Sequence, residues 1–189
     1  MVVRPARVED LPDLARIHTE SANAAYEGIA AADSDALRRR TAAWAEVLGD
    51  PTFSPFVAEA DGRPVGLVNV GPARDEREAG EVFTIYVLPP WWGTGVGQQL
   101  LEQAHRRLAQ TYSQAVLTVL AANPRARRFY ERNGWTLDRV DTEPHFGGHP
   151  TEIARYRKRF TVSVEPDGDI RSQVPAANPE HWRIREPPR

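Results

Sequence analysis

The sequence predicts a mixed α/β domain, one sheet with helices on its faces. Three observations carry that expectation. Runs with strand-type and helix-type apolar spacing follow one another in the order β, α, α, three β, α, β, α, β, β. Asp61-Gly62 separates two apolar strand-like runs, a strong hairpin signal. Gly93, Gly95 and Gly97 stand between a strong strand and an amphipathic helix.

Val2-Val3-Arg4 opens the domain as a short strand. Leu11, Leu14, Ala15, Ile17 and His18 fall at helical spacing and predict a helix from about Glu9 to Ala25, with Pro12 in its tolerated first turn. A second helix, from about Ser34 to Leu48, carries Leu37, Ala43, Trp44 and Val47, and Ala25 to Ile29 reads as a loop. Phe56–Ala60 and Pro64–Val70 form the hairpin around Asp61-Gly62. Arg74 to Glu78 is a charged turn, and Glu81–Val87 is a third strand, stopped by Pro89-Pro90. The next helix, from about Val96 to Ala109, sets Leu100, Leu101, Ala104 and Leu108 on one face. Ala115–Leu120 is a strand, and Pro124–Asn133 a shorter helix with Gly134 as its stop. Trp135–Leu137 and Ile153–Tyr156 close the sheet, with Pro144–Thr151 as the loop before the last strand.

The pattern fades at about Thr161, so residues 1–160 read as one domain. Residues 161–189 hold five of the 16 prolines and read as a tail, flexible or draped on the domain. Composition narrows the chemistry. Lys+Arg is 24 against Asp+Glu 26, a net charge of −2, so no bulk charge draws the chain to nucleic acid or an anionic membrane. Cysteine is absent, which removes thiol nucleophiles, disulfides and Cys-based metal sites. Lys158 is the sole lysine, and it is badly placed for a Walker-type phosphate loop. His145 and His149 lack a third ligand, so no metal is expected. No apolar run reaches a membrane span and no leader-like segment opens the chain, so a cytoplasmic setting is the default expectation.

Trp92-Gly93-Thr94-Gly95-Val96-Gly97, leading into Gln98, is the most informative segment. Alternate glycines let a main chain approach a ligand closely, and the N–H groups of the following helix turn favour an anion such as phosphate. The dinucleotide fingerprint needs a glycine at position 98, which is Gln98, and a phosphate loop needs lysine there.

Asn123-Pro124-Arg125-Ala126-Arg127-Arg128-Phe129-Tyr130-Glu131-Arg132-Asn133-Gly134-Trp135 resembles the N-x-x-A-x-x-F-Y-E-x-x-G-[FW] segment of the GNAT (GCN5-related) N-acetyltransferases. The glycine turn resembles that family's [QR]-x-x-G-x-G signature, with Tyr86-Val87-Leu88-Pro89 as its lead-in and Trp92 in place of Gln or Arg. The resemblance covers roughly residues 2–160. It implies a mostly antiparallel sheet with a splayed central strand pair, Phe83–Val87 and Val116–Leu120, holding the pantetheine arm of acetyl-CoA. It implies that the N–H near Val87 polarises the thioester carbonyl, that the turn from Trp92 through Gln98 (Gly93, Thr94, Gly95, Val96, Gly97) receives the pyrophosphate, and that Asn123 meets the arm.

By the same resemblance Tyr130 is the general acid for the leaving thiolate, the alternative being a core aromatic. Glu81, eleven residues before Trp92, matches a glutamate general base, against an ordinary solvated strand-end residue. Strand alternation puts Glu81 on one face with Phe83, Ile85 and Val87. Tyr26, Glu27 and Trp44 fall in the region that shapes the family's acceptor pocket, with Trp44 also readable as core. The implied reaction is direct acetyl transfer to a small-molecule or protein amine, and a homodimer stays open. A non-catalytic acyl-CoA sensor or scaffold is the alternative.

Overall fold

The computed structural model describes residues 1–25, 35–145 and 149–160. Residues 26–34, with Tyr26 and Glu27, and the tail from residue 161 lie outside the described residues. Strand β1 (Val2–Pro5) leads through a 3-10 turn (Val8–Asp10) into helix α1 (Leu11–Ala25) and then α2 (Ala36–Gly49). The helix expected from Glu9 begins at Leu11 because Asp10 caps the turn. Its carboxylate accepts from the Arg7 N–H at 2.7 Å and from both Arg4 Nη atoms at 2.7 and 2.8 Å. There follow β2 (Ser54–Ala60), β3 (Arg63–Pro72), β4 (Gly80–Val87), α3 (Val96–Ala109), β5 (Gln114–Leu120), α4 (Pro124–Arg132), β6 (Thr136–His145) and β7 (His149–Arg159). The expected order of elements holds throughout.

The strands make one seven-stranded sheet in the order β1-β2-β3-β4-β5-β7-β6. All neighbours are antiparallel except β4 and β5. Asp61 and Gly62 turn the β2–β3 hairpin with φ 51° and 75°, the consecutive left-handed pair that matches strand twist. The β6–β7 hairpin runs further than expected. Pairing continues to Pro144↔Pro150 and His145↔His149, so the loop expected over Pro144–Thr151 is mostly strand. Prolines are tolerated there because β6 is the sheet edge and β5 ends its pairing with β7 at Leu120↔Ile153.

Helices α1 and α2 cover one face, and α3 packs against the other. Leu14, Ile17, Trp44, Leu67, Leu100, Leu101 and Leu117 are fully buried between these layers. Each contributes about 1.5–3 kcal/mol of apolar burial. The alternating basic residues of β7 serve the fold. Arg155 meets Asp75 at 2.5 Å and Glu76 at 3.2 Å, and Arg157 meets Glu76 at 2.8 Å and Asp138 at 3.2 Å. They tie the β3–β4 turn to the far side of the sheet.

Two irregularities of β4 position the site. Opposite β3, Asn69 faces Thr84 while Val70 faces Val82, so Phe83 is the extra residue of a β-bulge. Opposite β5, pairing is confined to Gly80↔Ala115 and Glu81↔Val116. Beyond those pairs the two parallel strands part, as the splayed central pair requires, and leave main-chain donors and acceptors facing an open wedge.

Candidate active site

The wedge opens where β4 ends, α3 begins and α4 begins. A Cβ on Gly97 would lie 3.6 Å from Phe129 Cζ of α4 and 3.8 Å from Val87 Cγ2 of β4, so the first turn of α3 sits against both. Leu88 N–H donates across to the Val65 carbonyl at 3.0 Å. Successive strand amides point to opposite edges, so the Val87 N–H points away from β3 and into the wedge. The Val87 carbonyl shares that edge and accepts the indole N–H of Trp92 at 2.6 Å.

The glycine turn frees its backbone. Gly93 and Gly95 have φ of 78° and 92°, left-handed values that disfavour any side chain. Gly95 is the N-cap of α3 and no side chain caps the helix. The N–H groups of Val96, Gly97 and Gln98 therefore have no intrahelical acceptor, and the ladder starts with Gln99 N–H to Gly95 O at 3.1 Å. A Cβ on Gly93 or Gly95 would meet nothing within 4 Å, so the ground before these donors is open. The neighbouring side chains are turned to protein. Thr94 Oγ1 donates to the Trp91 carbonyl at 2.8 Å, Gln98 Nε2 to Glu102 at 2.9 Å, and Val96 is fully buried. Exposed main chain at a helix N-terminus fits a diphosphate.

Asn123 is the N-cap of α4, its Oδ1 accepting from Ala126 N–H at 3.0 Å. That bond fixes the amide and leaves Nδ2 as a donor. Tyr130, 7% exposed, lies in an aromatic group with Phe129 at 5.4 Å and with Trp135 and Tyr156 each at 6.3 Å between centroids. The Tyr156 hydroxyl is engaged, donating to Glu131 at 2.7 Å and accepting from Arg127 Nε at 3.0 Å.

Glu81 is not a solvated strand end. It is 3% exposed, and Arg74 holds both carboxylate oxygens, with the Arg74 backbone N–H adding a bond at 3.2 Å. Burial opposes the Arg74 charge most strongly of any single cause, but the charge and hydrogen bonds of Glu81, with the charges of Asp75 and Glu143, together raise the guanidinium above its ordinary value. The bulge also corrects the face expected for Glu81. Tyr86 stacks on His18 of α1, whereas Val87 lies with Leu100 of α3 beside Gly66. The extra residue turns the rest of the strand over, so Glu81 no longer shares a face with Ile85 and Val87. Six residues of strand put Glu81 roughly 20 Å from Val87.

Over residues 12–135 the chain matches the acetyltransferase (GNAT) family. The chain belongs to that family. An uncharacterized N-acetyltransferase of Archaeoglobus fulgidus is 34% identical over 139 residues, covering 69% of this chain and 89% of that protein. Mycothiol acetyltransferase of Streptomyces griseus is 38% identical over 96 residues, which span 49% of this chain and 31% of the relative. Among solved structures, ribosomal-protein-alanine N-acetyltransferase from Brucella melitensis superposes with a TM-score of 0.69 at 22% identity, over 85% of this chain and 100% of that one. YncA from Salmonella typhimurium with its cofactor acetyl-CoA gives 0.69 at 20% identity, over 88% of this chain and 98% of that one.

On this GNAT scaffold, Val87, Trp92, Gly93–Gln98 and Asn123 gather at the mouth of the wedge, while Glu81 sits at its closed end. Other residues on the α1 side escaped the sequence reading. The half-buried His18 ring stacks on Tyr86 at 4.6 Å and meets Trp44 edge-on at 6.2 Å, and burial pulls its pKa down to about 3. Asn69 and Ser21 are buried with side-chain polar atoms that have no partner among the described residues. Asn69 was visible as one polar residue inside the apolar run Val65–Val70. His18 was hidden by falling on the apolar face of α1.

Proposed function

We propose that the chain transfers an acetyl group from acetyl-CoA to an amine in a ternary complex at the β4–β5 wedge. The observation that supports this most is the wedge itself, a parallel pair that separates after Glu81↔Val116 with an uncapped glycine turn at its mouth. One relative is named mycothiol acetyltransferase and one neighbour ribosomal-protein-alanine N-acetyltransferase, names that support acetyl transfer without agreeing on one acceptor.

Acetyl-CoA, when bound, supplies the thioester. The N–H groups of Gly93–Gln98 hold its diphosphate, and Asn123 Nδ2 donates to the pantetheine arm. Val87 N–H, with Ile85 N–H two residues down the same edge, donates to the arm and the acyl oxygen, an electrostatic role. The amine nitrogen bonds to the acyl carbon as the carbon–sulfur bond breaks, and Tyr130 gives its phenolic proton to the departing thiolate. The proton lost by the amine goes to water, and water returns a proton to the Tyr130 phenolate, so that amide, free thiol and phenol remain. Glu81 is a poor acceptor for the amine proton, because Arg74 occupies both oxygens and Val87 is too distant for one acyl group to touch both. Cysteine is absent, so no acyl-cysteine step intervenes.

Thiol release from acetyl-CoA, followed with a panel of amines and mass spectrometry of the products, tests the reading. Acetylated amine in step with free thiol supports it. Tight acetyl-CoA binding with no thiol release for small amines, peptides or cell extract would instead favour a domain that only holds the acyl-CoA.

A further inference from the structure

Trp92 occupies the position where the family signature carries Gln or Arg, and the turn from Gly93 to Gln98 contains no cation of its own. The structure brings one from another element. Arg125, in the first turn of α4, places its Cζ 3.5 Å from the centre of the Trp92 ring. That is the contact distance of a guanidinium lying flat on an indole. The indole is fixed at its other end by its N–H bond to the Val87 carbonyl at 2.6 Å. Val87, Trp92 and Arg125 thus form a strap from the end of β4 to the start of α4.

Several other arginines of the domain have work inside the fold. Arg127 bonds Tyr156 and the Ala121 carbonyl, Arg74 holds Glu81, and Arg155 and Arg157 hold acidic side chains. Arg125 donates no hydrogen bond and makes no ion pair among the described residues, and it is exposed. A guanidinium flat on a ring directs its N–H groups outward from the ring edge, which is the fork that grips two oxygens of one phosphate. Because the stack already orders the side chain, less conformational entropy is lost when an anion arrives.

We propose that Arg125, oriented by Trp92, binds a phosphate group at the nucleotide end of the acyl-CoA and replaces the cation missing from the glycine turn. This rests on the acetyl-CoA reading above. It assigns affinity and cofactor selectivity to a residue pair outside the main-chain phosphate site.

Calorimetric titration of wild type, Arg125→Ala, Arg125→Lys and Trp92→Ala with acetyl-CoA, its 3′-dephospho analogue and acetyl-pantetheine tests it. Arg125→Ala should weaken acetyl-CoA about tenfold or more, the usual size of a charge-assisted contact. Arg125→Lys should recover only part, and Trp92→Ala should resemble Arg125→Ala. Acetyl-pantetheine, which has no phosphate, should bind all four alike. If the Arg125→Ala loss disappears with the dephospho analogue, the group held is the 3′-phosphate. If it persists there, the group is the diphosphate. Melting temperatures of the unliganded Arg125 variants should stay with the wild type, which a purely structural stack would not allow, while Trp92→Ala also loses its bond to the Val87 carbonyl and should melt lower. Wild type that fails to bind acetyl-CoA would overturn the acetyl-CoA reading. Wild type that binds while Arg125→Ala binds equally well would overturn this assignment alone.

Discussion

Gly97→Asp separates phosphate binding from folding. Gly97 is the second residue of α3 and has no left-handed φ, so an L side chain fits its backbone. Its Cβ would meet Phe129 at 3.6 Å and Val87 at 3.8 Å, ordinary contacts. A carboxylate in the first turn of a helix is favourable by about 0.3–1 kcal/mol, and losing a helical glycine adds a few tenths more. The unliganded variant should therefore melt at or above the wild type. The same carboxylate sits on the first turn of α3, whose free N–H groups are the ones assigned to the diphosphate. At about 5.5 Å and an effective dielectric of 20–40, each pair of unit charges costs about 1.5–3 kcal/mol. Acetyl-CoA affinity should fall roughly tenfold to hundredfold or more. Gly97→Asn has the same size without the charge and should keep most of the affinity. Gly95→Asp is a poorer probe, because φ of 92° adds backbone strain to any loss. Calorimetric titration beside thermal melts reads both quantities. A folded Gly97→Asp with wild-type affinity would refute the phosphate site.

Tyr130→Phe keeps the ring in its aromatic group and removes the proton, so kcat should fall roughly 10²-fold with acetyl-CoA affinity unchanged; full activity would leave Tyr130 a packing residue. Glu81→Gln should cost stability of about 1–3 kcal/mol by breaking the buried pair with Arg74, with kcat within a few-fold; a kcat collapse that also removed the acidic limb of the pH profile would restore Glu81 as the base. His18 folds with its pKa lowered from 6.5 to about 3, so the unfolded chain binds more protons below 6.5. Its stabilisation is fully present above 6.5 and is lost as pH falls toward 3, at up to about 1.4 kcal/mol per pH unit. Denaturant melts of His18→Phe should show a shallower acid slope than wild type, and identical slopes would contradict that origin. Leu100→Ala, fully buried in α3, should lose about 2–5 kcal/mol by denaturant unfolding; a loss below 1 kcal/mol would mean the core relaxes around the gap.

Local signals made much of the fold legible. Asp61-Gly62 dictated its hairpin because two consecutive left-handed residues are needed there. Leu100, Leu101, Ala104 and Leu108 marked the buried face of α3 by spacing alone. The glycine turn was readable because Gly93 and Gly95 adopt conformations few other residues accept. What escaped depends on partners distant in sequence or on backbone register. No residue type announces the bulge at Phe83, so strand alternation placed Glu81 on the wrong face. The extra length of β6 and β7 comes from pairing with each other past the end of β5, through the prolines Pro144 and Pro150. The grip of Arg74 on Glu81 joins residues that read separately as a charged turn and a strand end. The Trp92–Arg125 stack joins motifs 33 positions apart, a proximity that no spacing rule contains.

Hydrogen exchange read by mass spectrometry, with and without saturating acetyl-CoA, tests where the cofactor lies. The β4 edge beyond Glu81 has no ladder partner in β5, and the first N–H groups of α3 have no intrahelical acceptor. A pantetheine arm in the wedge and a diphosphate on the turn should slow exchange in Phe83–Val87 and Gly93–Gln98, and leave β1 and β2 unchanged. Saturation of the protein with no protection in either segment, or with protection confined to β1 and β2, would contradict the wedge as the acetyl-CoA site.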